Sequence, residues 1–439
     1  MKKILLSLLA AVTLFSATAA NREHTLKIYN WADYIDETVL DEFKTWYTEQ
    51  TGEEVEIIYN TFQINENMLN DIEVGKDDYD VICPSEYIIE RMLRHNLLQP
   101  IEKSLIPDEI NYMNLVAPFV TEKFQQMAPT ENTTVSDYAV GYMWGTTGFL
   151  YNPAFVDEEE MQTWGAILNT ERFKKHILMK DAVRDIYSVM VLYAYRDEIA
   201  RGEVTRDDLV RNITAERIQR VEEILIAGKP SYAGWEVDFG KEQMTQGKAW
   251  VDLLWSGDAQ WAIDEAAEVG LDLRYIVPQE GSNVWFDGWC VPVYAVNTKA
   301  AAYFINFMCR PDIAIRNMEE IGYVSVIASP EIEEWANDEE IEETADLSYF
   351  FGPEATAVHA NQVFYPDKSV IDRCALMHDA GDQVEALMEM WNRVKGNNLD
   401  TKMVIIIVII VIAIIGFGVA QVIGKKKQQK LLRKSKKRK

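Results

Sequence analysis

Apolar positions along residues 25–400 recur in two alternating rhythms. Residues 25–29 read as a strand, and from Asp36, a candidate N-cap, Val39, Leu40, Phe43 and Tyr47 recur on one helical face. Residues 54–59 and 79–83 read as further strands. Pro84-Ser85 opens a helix with Ile88, Ile89, Met92 and Leu93 at helical spacing. The middle repeats this order. Residues 142–151 form a Gly-broken strand and residues 182–195 a helix. Thr205-x-x-Asp208 is a capping-box-like start for a helix carrying Leu209, Ile213, Val221 and Leu225. Residues 250–255 and 271–277 read as strands, and residues 299–309 as a helix that ends before Pro311. Strand and helix in alternation predict an α/β fold, a sheet covered by helices.

Both ends break the pattern. Lys2 and Lys3 precede an apolar run over residues 4–15, followed by Ala17-Thr18-Ala19, which predicts a secretory signal over residues 1–19. At the other end a polar linker, residues 396–402, leads into an uncharged stretch over residues 403–423. As a helix that stretch would extend about 31 Å, one hydrocarbon core. Ten Lys or Arg follow between Lys425 and Lys439. The expectation is a globular region outside the cytoplasmic membrane, one C-terminal transmembrane helix, and a basic tail (424–439) in the cytoplasm.

With 439 residues there is room for two domains with real cores. The formal charge of −27 arises despite that basic tail, so the globular region is strongly acidic. Such a surface repels nucleic acid and attracts cations. The four cysteines, Cys83, Cys290, Cys309 and Cys374, form neither a disulfide framework nor a metal pattern. All stand beside apolar residues, which leaves buried thiols and bridges both open.

The chain has no H-E-x-x-H, no G-x-S-x-G, no P-loop and no G-x-G-x-x-G. Its five His form no pair at metal-ligand spacing. Catalytic residues, metal ligands and cofactors are therefore not assigned, and binding is the better reading. Aromatic residues instead stand beside short polar or acidic ones just past predicted strands: Asn30-Trp31-Ala32-Asp33-Tyr34, Pro84-Ser85-Glu86-Tyr87, Trp255-Ser256-Gly257-Asp258 and Trp285-Phe286-Asp287. Ligands of open α/β sheets bind beyond the carboxyl ends of strands.

Five stretches in order resemble the spermidine/putrescine-binding proteins of bacterial ABC importers. They are Y-N-W-A-D-Y-I (29–35), D-V-I-C-P-S-E-Y (80–87), G-Y-M-W-G-T-T-G (141–148), W-F-D-G-W (285–289) and R-P-D…I-G-Y (310–323). The resemblance covers about residues 25–395. It implies a two-lobed periplasmic-binding-protein fold of type II with two interlobe crossovers, near residues 138–142 and 279–285. Lobe 1 would comprise residues 20–140 and 283–332, and lobe 2 residues 141–282 and 333–395. By motif position it implies that Trp31, Tyr34, Ser85, Tyr87, Asp185, Trp255, Trp285, Asp287 and Tyr323 contact a polyamine, with ABC permease subunits as partners. Three positions depart from the family pattern: Ala32, Ala182 and the segment Met377-His378. The C-terminal span is also outside that pattern.

The chemistry suits such a ligand. A polyamine is a row of ammonium charges separated by methylenes. Carboxylates pair the charges, because a buried unpaired charge is costly. Aromatic faces pack the methylenes and attract the cations, worth roughly 2 kcal/mol each when desolvated. Three alternatives remain at this level: a membrane-tethered receptor, which the short tail disfavours, an amine-processing enzyme, which the missing motifs disfavour, and the same fold serving another small cation or organic ligand.

Overall fold

Parallel pairing sets up the first half of the sheet. In this computed structural model, which describes residues 22–237 and 239–396, β1 (Thr25–Trp31) pairs in parallel with β2 (Glu56–Phe62) and β3 (Val81–Ile82). The helix Thr38–Thr51 links β1 to β2. It buries Val39, Phe43, Trp46 and Tyr47 and ends at Gly52, whose left-handed backbone returns its N–H to the Thr48 carbonyl. The expected N-cap is displaced by one residue: Glu37 holds that position, while Asp36 Oδ1 still accepts from the Thr38 N–H at 2.9 Å.

The remaining strands are β4 (Leu98–Gln99), β5 (Ala139–Tyr151), β6 (Ile177–Lys180), β7 (Tyr232–Glu236), β8 (Val251–Trp255), β9 (Arg274–Ile276), β10 (Asn283–Pro292), β11 (Val324–Ser325) and β12 (Ala375–Leu376). The main path runs β2-β1-β3-β10-β5-β8-β6-β7. Every residue of β5 is buried, and the strand serves both halves of this path. Its residues 139–146 pair with β10, and residues 147–151 with β8 and β9. In the second half β6 is parallel to both β7 and β8. The chain passes from one half to the other within β5, and returns between β9 and β10.

The glycines expected to break β5 do not break it. A Cβ at Gly145 would meet the Trp285 ring, and one at Gly148 the Tyr275 ring and the Ile276 carbonyl. Their small size admits aromatic rings against an unbroken strand. Elsewhere along β5, Trp144 stacks on Phe350 (centroids 5.3 Å apart), and Tyr142 packs on Trp289 at 4.7 Å. The segment after Thr205 differs from its expected single helix. Helices Arg206–Arg211 and Ala215–Gly228 are separated at Asn212, and Thr214 caps the second by accepting from the Arg217 N–H at 3.3 Å. All four cysteines are free and buried.

Residues through Val384 form one unit, and a second begins at Glu385. In the second, the described part belongs to the helix Val384–Gly396, where Leu387, Met390, Trp391 and Val394 recur at helical spacing. The expected transmembrane helix, and the location at the cytoplasmic membrane built on it, are corrected. Among the described residues no helix is long and apolar enough to cross a membrane. The longest have 14 residues, about 21 Å, against a hydrocarbon core of about 30 Å. Residues 403–423, the basic tail and the signal at residues 1–19 lie outside the described residues.

The return passage turns on Gly281. Its φ is +100°, and a Cβ there would collide with the Arg373 carbonyl oxygen. Gly270 also has positive φ (+74°) but has nothing within 4 Å. Gly281→Ala is therefore expected to destabilise the protein by about 1–3 kcal/mol more than Gly270→Ala. Urea unfolding of both variants measures the difference, and equal losses would remove the steric argument.

Candidate functional site

Asp287 lies at the irregular point in β10 where its register against β5 shifts between Phe286 and Gly288. The irregularity turns the carboxyl towards the loops that follow β1 and β3. Tyr34 Oη donates to Asp287 Oδ2 at 2.8 Å, and Ser85 Oγ donates to Oδ1 at 2.7 Å. Ser85 also bridges to Asp287 through backbone pairing, which holds the loop after β3 against β10. The Trp31 indole N–H lies on the same carboxyl and favours its charged form, although the nitrogen is buried without a completed hydrogen bond.

Asn65 extends this network. Its amide donates to Ser85 Oγ and to Tyr87 Oη, each at 3.0 Å. From the opposite half, Asp185 in the first turn of the helix Val183–Ala194 accepts from Trp255 Nε1 at 3.1 Å and from Asn283 Nδ2 at 2.9 Å, both on Oδ1. Tyr323 closes the set with rings edge-on to Tyr34 and to Trp285, each with centroids 5.5 Å apart. Gly257 admits Tyr323, because a Cβ there would strike its ring.

The nine residues singled out in the sequence thus fall into two groups, seven around Asp287 and the pair Asp185 and Trp255, and the Lys180 ammonium, on the Trp255 ring and on Asp258 beside Tyr323, joins them. Of the departures, Ala182 is the N-cap of the Val183–Ala194 helix and supplies no side-chain cap. Met377 Sδ contacts Asn283 Nδ2 at 3.4 Å. His378 is committed elsewhere: Nδ1 lies 2.9 Å from Glu90 Oε2, and its carbonyl accepts from Arg184.

Three members of the set were not anticipated. Asn65 and Asn283 lie outside the aromatic motifs and have no signature of their own. Lys180 had a signal, being the one charged residue of the otherwise apolar strand Ile-Leu-Met-Lys.

Asp287 and Asp185 are both buried, and among the described residues neither forms an ion pair. Burial pushes the Asp287 carboxyl up from 3.8 to about 6, restrained by its bonds from Ser85 and Tyr34 and raised further by the Asp185 charge. Burial also raises Asp185, partly offset by the bonds from Trp255 and Asn283 and by the Lys180 charge. Behind them, burial holds Glu86 well above the carboxylate range. Its Oε2 accepts from the Phe286 N–H, and its Oε1 is buried without a partner, as suits a protonated acid. The site is thus an aromatic enclosure with two carboxyls held by neutral donors, and it can take positive charge.

Residues 41–343 match the family described as bacterial extracellular solute-binding protein. The spermidine/putrescine-binding periplasmic protein of Salmonella typhimurium is 27% identical over 405 residues, 90% of this chain and 99% of that one. The protein of that name in Escherichia coli is 28% identical with the same coverage. Among solved structures, the spermidine/putrescine ABC transporter substrate-binding protein of Streptococcus pneumoniae, in complex with calcium and HEPES, superposes with a TM-score of 0.61. It is 26% identical, over 85% of this chain and 98% of that one.

The raised Asp287 has a consequence for the ligand-free protein. The folded state holds this proton more tightly than the unfolded chain, so stability falls as pH rises from about 4 to about 6 and is level above. The displacement corresponds to about 3 kcal/mol. Asp287→Asn removes that part. Relative to the unaltered protein, the variant is expected to gain about 2 kcal/mol on going from pH 4.5 to pH 8, the rest of the displacement lying below pH 4.5. Urea unfolding at the two pH values measures this, and a difference independent of pH would show that Asp287 titrates normally.

Proposed function

We propose, from the premise that this chain belongs to the bacterial extracellular solute-binding protein family, that it captures a linear polyamine of the spermidine/putrescine kind and delivers it to the permease subunits of an ABC importer. The observation that carries this reading is the pair of buried carboxyls, Asp287 and Asp185, set among Trp and Tyr side chains with neutral hydrogen-bond donors in place of cations. A ligand ammonium supplies the missing charge. The likeness to spermidine/putrescine-binding proteins supports the ligand class.

In this reading Asp287 pairs one ammonium while Tyr34 and Ser85 hold its carboxylate in place. Asp185 pairs another, with its orientation set by Trp255 and Asn283. Trp31, Trp285, Tyr323 and Tyr87 pack the methylenes. The enclosure makes each ion pair stronger than it would be in water, and ordering by the protein's own hydrogen bonds lowers the cost of binding.

The ligand sits between two lobes, residues 20–140 with 283–332 and residues 141–282 with 333–395. The change of partner along β5, from β10 to β8, supports a crossing in that strand, and the gap between β9 and β10 supports the second. Ligand bound to groups from both lobes would hold them closed, which is the state a permease can distinguish from the empty one.

Titration calorimetry of the full chain with spermidine, putrescine and cadaverine tests the proposal. Heat and a thermal shift are expected with at least one of them, and none with neutral sugars. Asp287→Asn is expected to weaken binding by two to three orders of magnitude, the equivalent of roughly 3–5 kcal/mol for a broken enclosed pair. Binding within threefold of the unaltered protein would remove Asp287 from the site. Because the carboxylate must be charged to pair, affinity is also expected to fall by up to about tenfold per pH unit below about 6.

A further inference from the structure

Lys180, the last residue of β6, carries a charge into the same enclosure. Its side chain is 1% exposed, and its ammonium lies 3.0 Å from Asp258 Oδ2 and 3.3 Å from Glu236 Oε1. The ammonium also donates to the Val237 carbonyl and stands 4.0 Å from the centroid of the Trp255 ring. Trp255 is the residue whose indole N–H holds Asp185. Asp258 belongs to the same wall, since the Tyr323 hydroxyl lies against its carboxylate. An ammonium on an aromatic face beside a carboxylate is the arrangement a polyamine charge would adopt. Here the protein builds that arrangement from its own lysine.

We propose that Lys180 is a tethered ammonium that occupies one cation position of the cleft, so that the site selects a diamine over a triamine. This rests on the polyamine reading above and specifies its ligand. With Lys180 and Lys241 in place Asp258 is satisfied, and Asp185 and Asp287 are the site carboxyls with no cation at ion-pair distance among the described residues, although the Lys180 charge reaches Asp185. Two ammonium groups match them. A third would enter the enclosure without a partner, which is costly, or stay outside it and add nothing. Lys180 cannot readily step aside for that third charge. Its stem is buried at the end of a strand paired on both sides, and its departure would leave Asp258 and Glu236 without their shared cation.

The test compares putrescine with spermidine by calorimetry on the full chain, and then on Lys180→Met. The unaltered protein is expected to bind putrescine at least as tightly as spermidine. Lys180→Met leaves Asp258 with only Lys241, 3.6 Å away on its other oxygen, and is expected to shift the ratio towards spermidine by tenfold or more. In Lys180→Met with Asp258→Asn, which removes both charges, that gain is expected to vanish. Spermidine binding tenfold tighter than putrescine in the unaltered protein would overturn the proposal, whether or not the variants fold. An unchanged ratio in a folded Lys180→Met variant would also overturn it, while leaving the polyamine reading intact. Absence of binding by any polyamine to the unaltered protein would remove the polyamine reading, and this proposal with it.

Discussion

A buried carboxyl without a cation is the constraint around which the site is organised. Asp287 could have been paired with an arginine, which would have neutralised it permanently. Instead it is held by two hydroxyls, Tyr34 from the loop after β1 and Ser85 from the loop after β3. Neutral donors orient the group and lower the cost of its charge without cancelling it. Burial still raises the carboxyl to about 6, so near neutral pH the empty site retains unfavourable free energy that a cation relieves. Binding and stability are therefore linked, since whatever satisfies Asp287 favours the folded, occupied state.

Lys180 shows the other solution within the same enclosure. Its ammonium is shared by Asp258 and Glu236, and these opposite charges raise its pKa despite burial. One set of acids is closed by the protein and one is left open. The contrast between them, rather than the overall negative charge, is what gives the cleft a definite number of vacant charge positions. Trp255 joins the two sets, with its ring under the Lys180 ammonium and its indole N–H on Asp185.

The backbone that carries these groups is continuous across both halves. β5 pairs with β10 along its first part and with β8 along its second, and β10 itself carries Trp285 and Asp287. The carboxyl and the aromatic wall thus ride on strands paired into the sheet, while Tyr34, Ser85 and Tyr323 come from the ends of elements packed on them. Glycines 145 and 257 supply the space for Trp285 and Tyr323, so the aromatic set depends on small residues elsewhere in the chain as much as on the rings themselves.

The alternation of apolar rhythms was enough to identify an α/β chain. The aromatic-acid motifs marked seven of the nine residues that the fold brings together, and the family resemblance added Asp185 and Tyr323. Those features are local: a strand's apolar run, a helix's stripe, or a Trp beside an Asp is encoded within a few positions. The sequence rhythm misread the segment after Thr205 as one helix, because apolar spacing alone does not register the competing cap at Thr214. It also could not assign Asn65, which acts through Ser85, 20 residues away, or Asn283, which acts on Asp185, 98 residues away. Lys180 is the clearest case. In the sequence it is a charge at the end of a strand. Only its approach to Asp258, 78 residues later, makes it part of the cleft. Residue type and local pattern determined which chemistry the chain carries. Tertiary structure decided which charges are paired and which are left open, because pairing depends on distances that arise only when remote segments meet.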